Sequence, residues 1–255
     1  MGKTTLSSNL GAALAYEFGK KVIIVDANFS APNVALHYGL AEPEVTLHDV
    51  LNNKVSVTEA VYEYDKNLHL IPGSMLNEKM NPFKLREKIN KLKEYYDIIL
   101  IDSSPNLNNE ILATMLASDE LIVVTSPDYP TLSCTMHAVK VAKERETPIL
   151  GLVLNKVRGK GYELKLGDIE DATHVPVLAV LDDDDNVIEA VANTKPVILH
   201  SPRSSVTIGI KKLAAAIISE DYQDPRLWTK IKGLFSKEAK KQDVNLDLLR
   251  EGKLY

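Results

Sequence analysis

Short apolar runs that close on a polar residue recur along this chain. Lys21-Val22-Ile23-Ile24-Val25-Asp26 is one, and Asp97-Ile98-Ile99-Leu100-Ile101-Asp102 repeats its shape. Further runs lie at 68–72, 120–125, 149–155, 176–181 and 196–199. They are rich in Val, Ile and Leu, lack polar alternation, and are bounded by Gly, Pro, Asp or Asn. That pattern predicts strands buried on both faces, as in a parallel sheet. Helical periodicity fills most of the intervals: Leu6, Leu10, Ala13, Leu14 and Phe18 share a face before Gly19 stops the helix. Helices are likewise expected over 82–95, 108–116, 132–144, 186–193 and 204–218, and Tyr129-Pro130 reads as a turn. Alternation of this kind predicts an α/β domain over 1–220: a doubly wound, mostly parallel sheet with helices on both faces.

In such sheets ligands gather at the carboxyl ends of the strands. Asp26, Asp102, Ser126 and Asn155 all fall at strand ends, on the rim shared by Gly2-Lys3-Thr4-Thr5. That tetrapeptide has the form of the last part of a phosphate-binding loop. In such a loop backbone N–H groups cradle phosphate, a lysine reaches the β/γ-phosphates and a hydroxyl binds Mg²⁺. Gly-Lys-Thr-Thr alone is a weak signal, and a single strand-terminal Asp is as often a turn residue. Their convergence on one rim is the informative feature.

Composition narrows the picture. With 255 residues, 45% of them hydrophobic, the chain can bury a large core. Its one cysteine, Cys134, excludes an intramolecular disulfide and any multi-thiolate centre within one chain. Small free thiols are usually buried, so a buried or half-buried Cys134 is expected. No run reads as a signal peptide or spanning helix, which makes the cytoplasm the expected compartment. The net charge is −5, yet 226–241 holds six Lys/Arg and one Glu, which leaves −10 on the remainder. An acidic body argues against nucleic acid as a partner and points to the C-terminal piece for polyanion contact.

Leu227, Trp228, Ile231, Leu234 and Phe235 fall on one arc if 225–241 is helical, with Lys230, Lys232 and Lys237 on the flanks and back. A basic amphipathic helix of this kind suits a membrane surface, through 226–237. The same face would also suit a last helix docked on the domain. Residues 242–255 mix charges without period and predict a flexible tail. Asp182–Asp185 reads as a solvated loop before a helix.

The motifs, taken in order, resemble the MinD/ParA family of P-loop ATPases, its MinD-like and archaeal members most. Gly2 to Gly11 resembles the end of that family's deviant Walker A and its first helix. Val25-Asp26-Ala27-Asn28, continuing to Leu40, resembles switch I, and Thr46–Leu51 is a further family-like phrase. Leu100-Ile101-Asp102-Ser103-Ser104-Pro105 resembles Walker B with switch II, and Val153–Val157 resembles the adenine-contacting segment. The resemblance covers 2–218. It implies ATP and Mg²⁺ as cofactors, an ATP-dependent homodimer, and an activating or cargo protein. It also implies a peripheral location at the inner face of the cell membrane.

Residue by residue, the resemblance places Gly2, Lys3, Thr4 and Thr5 on the phosphates. It places Thr4, Asp102 and Asp26 around the metal and its waters, and Asn155 with Lys156 at the base. Asn28 stands where the family carries a second acid that positions the attacking water, so slow ATP hydrolysis is expected. A nucleotide-gated scaffold with little turnover is the alternative. DNA partitioning and iron–sulfur carriage rank lower, since the body is acidic and no cysteine pair exists. Family members also carry Lys-Gly-Gly-x and a strand ahead of Gly-Lys-Thr. Met1 falls at x, so the sequence as written is expected to lack its first strand and half of the loop, with activity impaired and the natural start upstream.

Overall fold

A computed structural model describes residues 2–76, 79–104, 108–224 and 237–254. Among these, the chain forms α1 (Lys3–Tyr16), β1 (Val22–Ala27), α2 (Val34–His37), α3 (Leu47–Leu51), β2 (Tyr62–Asp65) and β3 (Leu68–Ile71). A 3₁₀ turn at Pro82–Lys84 leads into α4 (Leu85–Asn90), β4 (Ile98–Ser103), α5 (Asn109–Ala117), β5 (Leu121–Thr125) and α6 (Tyr129–Glu144). There follow β6 (Ile149–Val157), α7 (Leu166–Thr173), β7 (Val177–Asp182), α8 (Asp185–Ala192), α9 (Val197–His200), α10 (Ser205–Ile217) and α11 (Lys237–Arg250). Residues 3–119 with 189–200 make one compact unit, and residues 1–2, 120–188 and 201–255 make another.

The first unit is built on a four-stranded sheet of order β2-β3-β1-β4. β1 pairs in parallel with β3 and β4, and β2 joins β3 as an antiparallel hairpin. Every residue of β1 is buried, which explains its unbroken apolar run. Ile23 and Val25 pack with Leu47, Val50 and Leu51 of α3 and with Leu85 and Ile89 of α4. Ile24 points the other way, toward α1, where a Cβ on Gly11 would come within 2.6 Å of Ile24 Cδ1. That glycine lets α1 lie close on the strand. Burying an aliphatic side chain of this size contributes roughly 1.5–3 kcal/mol, so covering β1 on both faces fixes the strand that carries Asp26.

The second unit is built on a three-stranded parallel sheet of order β5-β6-β7. Leu132 and Val139 of α6, Leu152 and Leu154 of β6, and Leu166 and Ile169 of α7 form its core with Val177. α10 and α11 pack on β7 and on each other.

Several expectations change. Residues 196–199 are not a strand: α9 occupies Val197–His200, and the Ile198 N–H donates to the Asn9 side chain at 3.4 Å. A four-residue Val/Ile/Leu run carries no usable period, and Pro196 favours a helix start. Tyr129 and Pro130 open α6 rather than form a free turn, because Asp128 caps it by accepting from the Thr131 N–H at 2.9 Å. Cys134 is exposed on α6. β2 and α7 are additional elements.

The described part of 242–255 is not a flexible tail, since α11 runs through Arg250 with Asn245, Leu246 and Leu249 buried. Glu170 anchors that helix: it accepts from Asn245 Nδ2 at 2.8 Å and from the Val177 N–H at 2.7 Å, and pairs with Lys241. Arg250 closes on Asp221 at 2.7 Å. The amphipathic stretch expected over 226–237 lies, up to residue 236, outside the described residues. No described helix is long and apolar enough to cross a membrane. In the acidic run, Asp182 accepts from the Ser205 hydroxyl, Asp183 pairs with Arg158 and Asp184 accepts from Asn186.

Candidate functional site

Parallel pairing of β1 with β4 sets Asp26 directly opposite Asp102 and Ala27 opposite Ser103. Both carboxylates therefore emerge at the same end of adjacent strands. α1 begins at that end with Lys3 and Thr4. Thr4 Oγ1 donates to Asp102 Oδ2 at 2.6 Å, and Ser7 Oγ donates to Asp102 Oδ1 at 3.1 Å. Asp102 thus binds the first two turns of α1 through both oxygens, and Thr4, Ser7, Asp26 and Asp102 come together from three segments. Ser7 was not singled out from sequence. It lies one helical turn after Thr4, and the i, i+3 spacing was the available signal.

Asp26 has no solvent exposure. Its Oδ2 accepts from the Val34 N–H at 2.9 Å and its Oδ1 from the Asn28 N–H at 3.2 Å. The loop after β1 is therefore wrapped around this carboxylate. Burial, aided by the facing Asp102 charge, pushes the Asp26 carboxyl up to about 7, against the backbone N–H groups that favour the anion. Burial also raises Asp102, opposed by the Thr4 and Ser7 hydroxyls and by the Lys3 charge. Burial lowers Lys3, opposed by Asp102.

Asp26 in the folded chain binds its proton more tightly than an unfolded aspartate, whose pKa is about 3.9. Stability from this group is thus greatest at acid pH and is lost as pH rises through about 7. Asp26→Asn should flatten that part of the profile. Urea denaturation at stepped pH reads the difference, and parallel profiles for the two chains would refute the assignment.

Asn28 is committed to its own turn. Its Nδ2 donates to the Ala31 carbonyl at 2.6 Å, while its Oδ1 is buried without a hydrogen-bond partner among the described residues. Asn33 Oδ1 and Glu110 Oε2 are buried and unpartnered in the same sense. Three orphan acceptors stand on the loop after β1 and at the start of α5, close in sequence to Asp26 and Asp102. Unpaired buried acceptors cost free energy until a donor or cation arrives. Two facing buried carboxylates have the same need, and a hydroxyl with two acids suits a Mg²⁺ that takes its remaining ligands from water and phosphate. The residues present fit that ion.

Thr5 lies in the first turn of α1, where its carbonyl accepts from Asn9 Nδ2 at 2.8 Å. In the second unit Asn155 and Lys156 lie near the end of β6, and Lys156 has a positive φ of 60°. Gly2, also in that unit, has φ +85°, and a Cβ there would come within 2.3 Å of Asn155 Nδ2. Only glycine fits that conformation and that approach without displacement.

A protein-family profile described as an AAA domain matches residues 1–150. The chain is 34% identical over 225 residues to an uncharacterized ATP-binding protein of Methanocaldococcus jannaschii, covering 87% of this chain and 85% of that protein. The cell division ATPase MinD of Pyrococcus furiosus superposes with a TM-score of 0.79 at 35% identity, covering 84% of this chain and 91% of that one. The septum site-determining protein MinD of Pyrococcus horikoshii, solved with Mg-ADP, superposes with a TM-score of 0.80 at 32% identity, covering 92% and 94%.

Proposed function

The chain belongs to the MinD/ParA family of P-loop ATPases, and on that premise we propose that it binds ATP with Mg²⁺, dimerises on it and associates with a membrane surface. The observation that carries the nucleotide part is the Thr4–Asp102 hydrogen bond with Asp26 in register beside it. In this reading Lys3 neutralises the β/γ-phosphates, and the α1 N-terminus with Gly2 and Thr5 offers backbone N–H groups to them. Thr4 and Asp102 hold Mg²⁺, whose bound charge would offset that of the phosphates. Asp26 orders the loop after β1 and the waters beside it. Asn155 and Lys156 serve the adenine.

Residues 226–237 form the membrane contact, and one copy binds weakly. Two copies joined in an ATP dimer bind together, because the second contact becomes intramolecular. The protein is thus a cytoplasmic ATPase peripheral to the inner face of the cell membrane. It positions cellular machinery through an activating or cargo protein, in division, motility or chemosensing.

A nucleotide-gated scaffold with little turnover is the second reading. It is favoured by Asn28, whose side chain offers no carboxylate and whose amide is engaged with the Ala31 carbonyl.

Co-sedimentation with phosphatidylglycerol vesicles tests the membrane part. Binding with ATP-Mg should exceed binding with ADP-Mg several-fold and disappear on Trp228→Glu. Equal sedimentation with either nucleotide would sink the proposal of a nucleotide-driven membrane cycle. A steady-state phosphate-release assay separates ATPase from scaffold.

A further inference from the structure

Position 28 carries an amide where water activation calls for a carboxylate, and that amide is held in its own turn. The structure offers another acid on the same rim. Glu110 lies in the first turn of α5, the helix that follows β4 and Asp102. Its Oε1 accepts from the Ser30 hydroxyl at 2.5 Å. Ser30 belongs to the loop after β1, four residues past Asp26. Glu110 therefore bridges the segments that follow the two aspartate-bearing strands, and those strands are paired in register at Asp26 and Asp102. Its second oxygen, Oε2, is buried and has no hydrogen-bond partner among the described residues. A buried carboxylate oxygen without a donor is costly, and a water donating to it removes that cost. Asn28 Oδ1 and Asn33 Oδ1, also buried and unpartnered, provide further acceptors for water on the loop after β1.

We propose that Glu110 is the catalytic carboxylate of ATP hydrolysis in this chain, its Oε2 accepting from the attacking water; this rests on the ATPase reading above. The water oxygen forms a bond to the γ-phosphorus as the bond from that phosphorus to the ADP oxygen breaks. The water proton passes to Glu110 and then to solvent, leaving ADP and inorganic phosphate. Ser30 is a positioning residue: it turns the carboxylate by holding Oε1.

Glu110→Gln separates charge from structure, because the amide oxygen can still accept from Ser30. Positioned general bases contribute typically 10²–10⁴-fold, so Glu110→Gln should lower kcat at least tenfold, with KM and the Kd for a fluorescent ATP analogue within twofold of the unsubstituted chain. Ser30→Ala should give a smaller loss. Asn28→Asp should raise kcat by supplying a second acid, and in that background Glu110→Gln should cost less than threefold. A kcat for Glu110→Gln within twofold of the unsubstituted chain, with binding intact, overturns the role of Glu110 alone. Failure of the unsubstituted chain to bind the analogue in Mg²⁺ overturns the ATPase reading, and Glu110 with it.

Discussion

Lys3→Ala should lower ATP turnover by about 10²–10³-fold, the usual effect of deleting one preorganised donor from developing negative charge. Lys3 is half-buried at the start of α1, where its charge is opposed by burial and sustained by Asp102. A cation held this way is already desolvated when substrate arrives, so little reorganisation accompanies its use. The same substitution removes a positive charge that favours the Asp102 carboxylate. Weaker binding of ATP-Mg should therefore accompany the loss of rate, and Lys3→Arg should recover less than half of the activity because a planar fork replaces a compact ammonium. Phosphate release and equilibrium binding measure the two effects. Turnover within threefold of the unsubstituted chain would remove Lys3 from the proposed chemistry.

The largest effect on stability is expected in the core of the second unit. Leu152→Ala should destabilise the fold by about 2–5 kcal/mol, the range for deleting a buried leucine side chain beyond Cβ. Leu152 is fully buried in β6, between neighbours on both sides and against Leu132, Val139, Leu166 and Ile169. The backbone there cannot close over a hole. β6 is paired with β5 on one side and β7 on the other, which restrains its backbone, so the upper half of the range is expected. Denaturant unfolding gives the value, and a cost below about 1 kcal/mol would mean that the surroundings collapse onto the gap.

How far these features could be read in advance depended on whether their cause was local. β1 and β4 were legible because burial on both faces makes a strand an unbroken apolar run, and Asp26 and Asp102 end those runs. Lys3 and Thr4 were legible because Gly-Lys-Thr-Thr has the spacing of a phosphate-binding loop. α11 was not, since its docking depends on Asn245 and Lys241 meeting Glu170, which is more than 70 positions earlier. Its sequence carries too few apolar residues to announce a buried face. The Ser30–Glu110 bridge was hidden for the same reason, being made across 80 positions. Asn28 was visible as an unusual residue. That its amide is already engaged by Ala31 emerged only from the turn geometry.

The way α11 is held bears on how the proposed membrane association can be tested genetically. Deleting the carboxyl-terminal residues from 226 onward would take away more than the proposed membrane contact. It would strip Glu170 of Asn245 and Lys241, leave a largely covered carboxylate without those two partners, and bare the face of β7 on which α11 rests. A truncated protein that fails to reach vesicles could have lost its folding stability instead of its anchor. Single charge reversals within 226–237, with Lys241 and everything after it retained, would separate the two causes.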